Sequence, residues 1–545
     1  MNTPEKSSAM GSSSSWDHWL DVGDATLMKL LKEHGQDINT FESNQRGGDT
    51  QIPEDYAEVV PLPAGWLRLR MGGSGEVIGQ LVSDPLEQHP VDAPLIFAET
   101  EIDGLQGWVT QNRDIFPTLD RWCSLLRDPQ RENYAVAIHE RDDAEPGLVI
   151  TGVYPDVVLC EANSPAVAFV EPHPDEPGVA RACLLPITAA ASQDPPGVLA
   201  EGPAGGVRIE RCSIRRFIKV GYGVRSSRVW RLFDVTWPDP QAMPTPAPVH
   251  DPDLVDIALL EGEAVLVQAA NEGEHWHIDV SEFADGRARE QRRVATGQGE
   301  VRHVIGGDGS VLVHVNRTDE HGRVEHLCLV PVADPVQISE EPEPVLSSPG
   351  TLALNLNICA TSVGFAVAEL RTGTPPVVWY LDRAGRVLNS PKLLKMDVHF
   401  ARERYASADG YECALDIRWR GDSPVFHGPV IFMVYGAYGI DIDLDSDQEL
   451  GHWLDRGYAV ATAHVRGGGD APRHRAGSRS RRDRSLADTI AAVEWLRSGR
   501  GATTATKVCV IGASAGGFLV ASLLAEETVT VDAAVIVNGY IDPLE

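Results

Sequence analysis

The sequence predicts two domains of different class, a β-propeller built of short antiparallel strands and, after it, an α/β domain. Three observations carry this. First, 545 residues exceed what a single hydrophobic core ordinarily serves. Second, from about residue 70 to 390 short apolar runs alternate with polar turns. Three of these stretches, EAVLVQAANEGEHWHIDV, SVLVHVNRTDEHGRVEHLCLV and SVGFAVAELRTGTPPVVWYLD, share a strand–turn–strand form and begin near Val265, Val311 and Val363. A recurrence of roughly 50 residues is blade spacing. Third, after Leu388 the strand-like ECALDIRWR, PVIFMVYGA, YAVATAHVR, KVCVIGA and DAAVIVNG alternate with the helical SLADTIAAVEWLRS and GGFLVASLLAEE. That alternation means a mostly parallel sheet with helices on both faces.

The elements follow in order. Residues 1–15 are Ser-rich and read as a disordered tail. From Trp16, WDHWLDVGDATLMKLLKEHGQ places Leu27, Leu30 and Leu31 at helical spacing, so residues 16–70 form an N-terminal helical segment. Residues 71–390 form the propeller, with AVAFVEPHPDEPGVARACLLPI and SSRVWRLFDVTWPD as further blade segments. Blades around an axis leave few open edges, which accounts for so many short strands in one domain. A β-sandwich or two small β domains would be the competing arrangement. Residues 391–545 form the α/β domain.

Composition narrows the function. Hydrophobic residues at 43% and charged residues at 23% fit a globular protein. A formal net charge of −32 argues against a nucleic-acid partner, which needs a basic face. The eight cysteines are scattered without a Cys-x-x-Cys pair, so reduced thiols are expected rather than a disulfide framework or a zinc site. No metal-ligand cluster stands out, and neither metal nor cofactor is expected. The opening MNTPEKSSAMGSSSSW lacks a signal-peptide core, and no run of about 18 apolar residues occurs. A cytoplasmic location without a membrane span is the expectation.

The chemistry concentrates in KVCVIGASAGGFLVASLLA. Ser514 follows an apolar strand and precedes a helix, with Gly512 and Gly516 on either side. This is nucleophile-elbow spacing: side chains at the two glycine positions would clash in so sharp a turn. Strand, elbow and helix within an α/β pattern point to an α/β-hydrolase domain. Upstream, VYGAYG (434–439) ends the strand PVIFMVYG, where such a sheet builds its site. A tyrosine there could donate its hydroxyl to a developing oxyanion alongside the backbone N–H of Ala515. HVRGGGD (464–470) lacks the Lys-Ser/Thr of a nucleotide-binding loop and reads as a structural loop beside the site. The basic run RHRAGSRSRRDR after it reads as a solvated loop, or else as the lining of a substrate entrance.

YGAYG, HVRGGGD and GASAGG, in this order after a propeller-like region, resemble the prolyl oligopeptidase family of serine peptidases. The motif spelling is similar to oligopeptidase B. ASADGYECALDIRW resembles the family's entry into its catalytic domain, and WDHWLD its N-terminal helix, which implies packing of residues 16–70 on the hydrolase domain. The resemblance implies that Ser514 is the nucleophile of an acyl-enzyme, that Tyr435 and the amide of Ala515 form the oxyanion hole, and that short peptides are the substrate. Asp470 stands where the family usually has glutamate. An esterase or acyl-peptide hydrolase, or a catalytically silent peptide-binding propeller, would share these features.

A serine nucleophile needs a base and an orienting carboxylate. In α/β-hydrolases the order is Ser, then Asp or Glu, then His. Asp532 and Asp542 follow Ser514, but the last histidine, His474, precedes it. His464, to which the resemblance gives a structural role at the start of HVRGGG, and His474, in a polar loop, are the histidines left as substitute bases. The expectation is a partial hydrolase domain whose C-terminal strands, carrying the Asp and His, are missing from this sequence, with a second polypeptide as one source of them.

Overall fold

A computed structural model describes residues 58–539, apart from short loop stretches among them. The expected Ser-rich tail, the helix from Trp16, Cys359, Asp470 and Asp542 lie outside the described residues.

Among the described residues seven antiparallel sheets succeed one another, at residues 58–97, 109–153, 157–203, 208–249, 255–298, 300–348 and 351–387. The fourth and seventh have three full strands, each extended by isolated bridges, Trp230 to Val249 and Leu381 to Val387. Residues 339–340 return to pair in parallel with the fifth sheet. The strand–turn–strand segments read from the sequence are adjacent strands of the fifth, sixth and seventh blades.

Packing explains why the strands read as apolar runs rather than as alternations. Each blade is clasped between two neighbours, so both of its faces are buried: Ala166 to Val170 are all buried along one strand. A hydrophobic cluster fills each interface, as with Leu67 and Trp122 between blades one and two, or Val267 and Val313 between five and six. The ring closes because blade seven packs on blade one through Trp66, Val82, Ala366 and Tyr380. There the Val363 N–H donates to the Leu62 carbonyl at 3.1 Å and the Ser362 hydroxyl to the Pro61 carbonyl at 3.0 Å. Among the described residues no strand crosses between these two blades, so side chains and edge contacts hold the closure.

Among the described residues the first propeller strand is Glu58–Leu62, ahead of the expected boundary at 71. Residues 58–62 and 65–71 are the first two strands of blade one, with Val60, Leu62, Leu67 and Leu69 facing its core. The turn between them, Pro63-Ala64, is short enough to hide a hairpin in what looks like a linker.

The second domain is one sheet. Its strands are β1 (Val398–Ala406), β2 (Glu412–Arg420), β3 (Phe426–Val434), β4 (Ala459–Ala463), β5 (Thr503–Ala513) and β6 (Ala533–Val537). They lie in the order β1-β2-β4-β3-β5-β6. The pairs β1/β2 and β2/β4 are antiparallel; β4/β3, β3/β5 and β5/β6 are parallel. The helices are α1 (Leu450–Asp455), α2 (Ala471–Gly477), α3 (Arg482–Ser498) and α4 (Ala515–Ala525). Side chains alternate across a strand, so β3 serves both faces. Val430, Phe432 and Val434 pack with Val493 of α3 and Leu519 of α4, while Ile431 packs with Leu450 and Leu454 of α1. Gly499, with φ of 65°, ends α3 in the left-handed conformation that glycine tolerates.

At the outer edge of the sheet, β6 exposes Val535 and Ile536 at 40% and 39%. The Thr351 hydroxyl of blade seven donates to the Asp443 carboxylate, which lies in the loop beyond the carboxyl end of β3. The propeller therefore meets the hydrolase sheet at the end where parallel strands place their functional groups.

Candidate active site

The strand–turn–helix at Ser514 has the geometry of a nucleophile elbow. β5 ends at Ala513 and α4 starts at Ala515, leaving Ser514 alone to turn the chain at φ 45° and ψ −118°. Positive φ is costly for a residue with a Cβ, and such strain persists only where the surroundings impose it. Here they do. The Ser514 N–H donates to the Val537 carbonyl at 3.0 Å, and the Gly517 N–H donates to the Ser514 carbonyl at 3.0 Å. The glycines are needed for contact as well as for turning. A Cβ at Gly512 would strike the Gly516 carbonyl and the Val520 side chain. One at Gly516 would strike the Val434 carbonyl, and one at Gly517 would come within 2.6 Å of the Gly539 Cα. Ser514 is half-buried, while Ala515 is buried at the first position of α4, where N–H groups lack intrahelical partners.

Tyr435 is the neighbour of this turn. In the parallel register Val434 lies opposite Gly512, so the chain leaves β3 at Tyr435 beside the elbow. Gly516 packs so closely that an added Cβ would lie 3.1 Å from the Tyr435 Cα. Beyond it Gly436, at φ 58°, turns the chain where a side chain would collide with Val465. Tyr438, also at positive φ, is 53% exposed.

The HVRGGG loop braces this turn. A Cβ at Gly467 would enter the Gly436 carbonyl, and one at Gly468 would lie 2.7 Å from the Ile440 carbonyl. The Gly439 N–H donates to the Gly467 carbonyl at 3.1 Å. Arg466 anchors the loop from beneath. It is buried and donates to Asp488 at 2.6–3.2 Å and to Asp409 at 2.6 and 3.0 Å, with its guanidinium 4.5 Å from the Tyr411 ring centroid.

The other charged groups are committed elsewhere. His464 Nε2 lies 3.0 Å from Asp416, and its Nδ1 lies 3.5 Å from Asp441. Burial alone would lower its pKa, but the two carboxylates raise it to about 9, so it is an imidazolium at neutral pH. Asp416 is also held by Arg402 through two contacts of 2.6 Å, and Asp441 by Arg473. His474 Nδ1 donates to the Gly467 carbonyl at 2.8 Å. Asp532 accepts from the Val508 N–H at 2.8 Å and pairs with Arg497. It precedes β6, whereas the elbow adjoins the other end of that strand, five residues and roughly 16 Å away. Among the described residues, then, Ser514 Oγ has no imidazole hydrogen-bonded to it. No group of three or more metal-ligating side chains occurs there either.

The basic run after HVRGGGD differs from the solvated loop expected of it. It forms α2, a 3-10 turn and the start of α3. Arg473 and Arg482 turn inward, and Arg482 bonds both sides of the elbow region, to Gly436 and Ala515.

A seven-bladed propeller docked on the carboxyl end of an α/β sheet, with serine in a nucleophile elbow, defines the propeller-bearing α/β-hydrolases. Residues 445–545 match the prolyl oligopeptidase family, Peptidase_S9. "Prolyl endopeptidase-like" of Homo sapiens is 31% identical over 118 residues, 21% of this chain and 16% of that protein. The "Uncharacterized peptidase y4sO" of Sinorhizobium fredii is 36% identical over 137 residues, 22% of this chain and 18% of that protein. The chain thus spans under a fifth of the length of these curated relatives in its matched region. Oligopeptidase B from Leishmania major shares the fold, with a TM-score of 0.69 at 14% identity, over 96% of this chain and 75% of that one.

Proposed function

We propose that this protein is a serine-type oligopeptidase in which Ser514 attacks the carbonyl of a short peptide. The Tyr435 hydroxyl and the Ala515 N–H receive the oxyanion. The observation that carries this is the strained Ser514 between β5 and α4, held beside the residue that leaves β3. A fixed serine next to an unsatisfied helix N–H presents nucleophile and donor to one carbonyl, as acyl transfer requires. The propeller's contact at Asp443 supports a cavity between the domains that admits only small or unfolded chains.

The imidazole and its orienting carboxylate come, in this reading, from polypeptide outside the described residues that adds to the open edge of β6, whether in the same chain or a second one. The exposed Val535 and Ile536 on that edge support the placement. The seven described cysteines, all free thiols, support a reducing, cytoplasmic setting.

A fluorophosphonate probe tests the reading. Labelling that Ser514→Ala abolishes, and that added imidazole accelerates, is the expected result. Absence of Ser514-dependent labelling, with and without imidazole, would favour a peptide-binding protein. Labelling followed by turnover of esters but not peptides would favour an esterase.

A further inference from the structure

Arg482 belongs to no motif of the site, yet it touches both of its halves. Its guanidinium donates through Nη1 to the Gly436 carbonyl and through Nη2 to the Ala515 carbonyl at 3.0 Å. Gly436 directly follows Tyr435, and Ala515 directly follows Ser514. One rigid planar fork thus spans the two residues whose donors face the proposed oxyanion. The group is further held by the Phe518 ring, 5.5 Å from its centre.

Local physics disfavours a cation there. Arg482 is the first residue of the 17-residue helix α3, at the positive end of its dipole. Burial pulls its pKa down, opposed by the neighbouring Tyr438 and Tyr435. A residue needed only to fill space would be better served by an uncharged side chain. Violations of local preference of this kind concentrate at functional sites.

We propose that Arg482 is a positioning residue that sets the spacing and aim of the two oxyanion donors, Tyr435 and the Ala515 amide. Fixing the Gly436 carbonyl fixes the chain reversal that directs Tyr435. Fixing the Ala515 carbonyl fixes the first turn of α4, and with it the N–H that points at the reacting carbonyl. The bidentate fork supplies this because its two N–H groups have a set separation, which a lysine ammonium lacks. This rests on the reading of Ser514 as the nucleophile.

The test measures the rate constant of fluorophosphonate labelling at Ser514, with imidazole present, in the full chain and in R482K, R482A, Y435F and the Y435F/R482A double variant. R482A is expected to slow labelling roughly 10- to 100-fold, the scale of a misplaced oxyanion donor. R482K should recover part of the rate by keeping one hydrogen bond. In the Y435F background R482A should cost less than it does alone, because residues acting through one another are non-additive. Wild-type rates in R482A and R482K, or fully multiplicative losses with Y435F, would overturn the proposal while leaving Ser514 as the nucleophile. If R482A fails to fold, the R482K rate and its cycle with Y435F decide the matter. Absence of Ser514-dependent labelling in the unsubstituted chain would remove the nucleophile reading and this inference with it.

Discussion

Val434 and Gly512 lie opposite each other in the parallel register of β3 and β5, so the chain departs at Tyr435 and at Ser514 from adjoining strand ends. That single pairing brings the backbone at Tyr435 alongside the elbow that carries the strained Ser514. Shifting it by one residue would turn every side chain of β3 to the other face and dismantle both layers of the core.

The elbow can be tested through its strain. Ser514→Gly suits a φ of 45°, and should raise the unfolding free energy by about 1 kcal/mol while abolishing fluorophosphonate labelling. Gly512→Ala should do the reverse to stability, costing about 1–3 kcal/mol as the new Cβ meets the Gly516 carbonyl and Val520. Denaturant titration measures both.

The Arg466–Asp488 pair is buried, with both side chains nearly inaccessible at 3% and 0%. Removing one partner leaves the other charge stranded, so Asp488→Ala should destabilise the hydrolase domain by about 3–5 kcal/mol. Replacing the pair by two apolar residues of similar volume should cost less than either single change. A double-mutant cycle on the unfolding free energy checks this.

His464 gives the domain an alkaline weakness. Its folded pKa, about 9, stands above the ordinary 6.5, so its contribution is complete below about pH 6.5 and disappears as pH rises through 9. Its partners act in the opposite sense: Asp441, lowered to about 2 by His464 and Arg473 against its burial, contributes above 3.8 and loses that contribution as pH falls toward 2. Thermal unfolding against pH should show greatest stability between about pH 4 and 6.5. In His464→Gln the decline between pH 6.5 and 9 should flatten.

An aromatic contact lies in the seam that closes the propeller. Trp66 of blade one meets Tyr380 of blade seven edge to face, with ring centres 5.5 Å apart, and is 2% exposed. Trp66→Ala should cost about 3–5 kcal/mol. Because no described strand crosses this seam, hydrogen exchange should rise first at Val363, whose N–H donates to the Leu62 carbonyl across it.

Much of the architecture was legible because burial leaves a period or a run in the sequence. The strands ECALDIRWR and DAAVIVNG, the helix SLADTIAAVEWLRS and the glycines around Ser514 are all forced by local sterics and apolar patterning. The first blade was hidden because VVPLPAGWLRLRM holds two strands of five and seven residues around a turn that resembles a linker. The inward arginines were hidden for a related reason. A guanidinium aimed at backbone carbonyls has no partner in sequence, and RHRAGSRSRRDR shows only charge.

The sequence by itself determined that a serine would stand between a strand and a helix, flanked by glycines, after a domain of repeated short strands. These are properties of neighbouring residues, and neighbours set backbone sterics. Only the tertiary structure decided that seven blades close the ring, that Tyr435 adjoins Ser514, that His464 is bound between two carboxylates, and that Arg482 spans Gly436 and Ala515. Each of these joins segments separated by tens to hundreds of residues, and such contacts exist only once the sheet register and the packing of helices on it have brought those segments together.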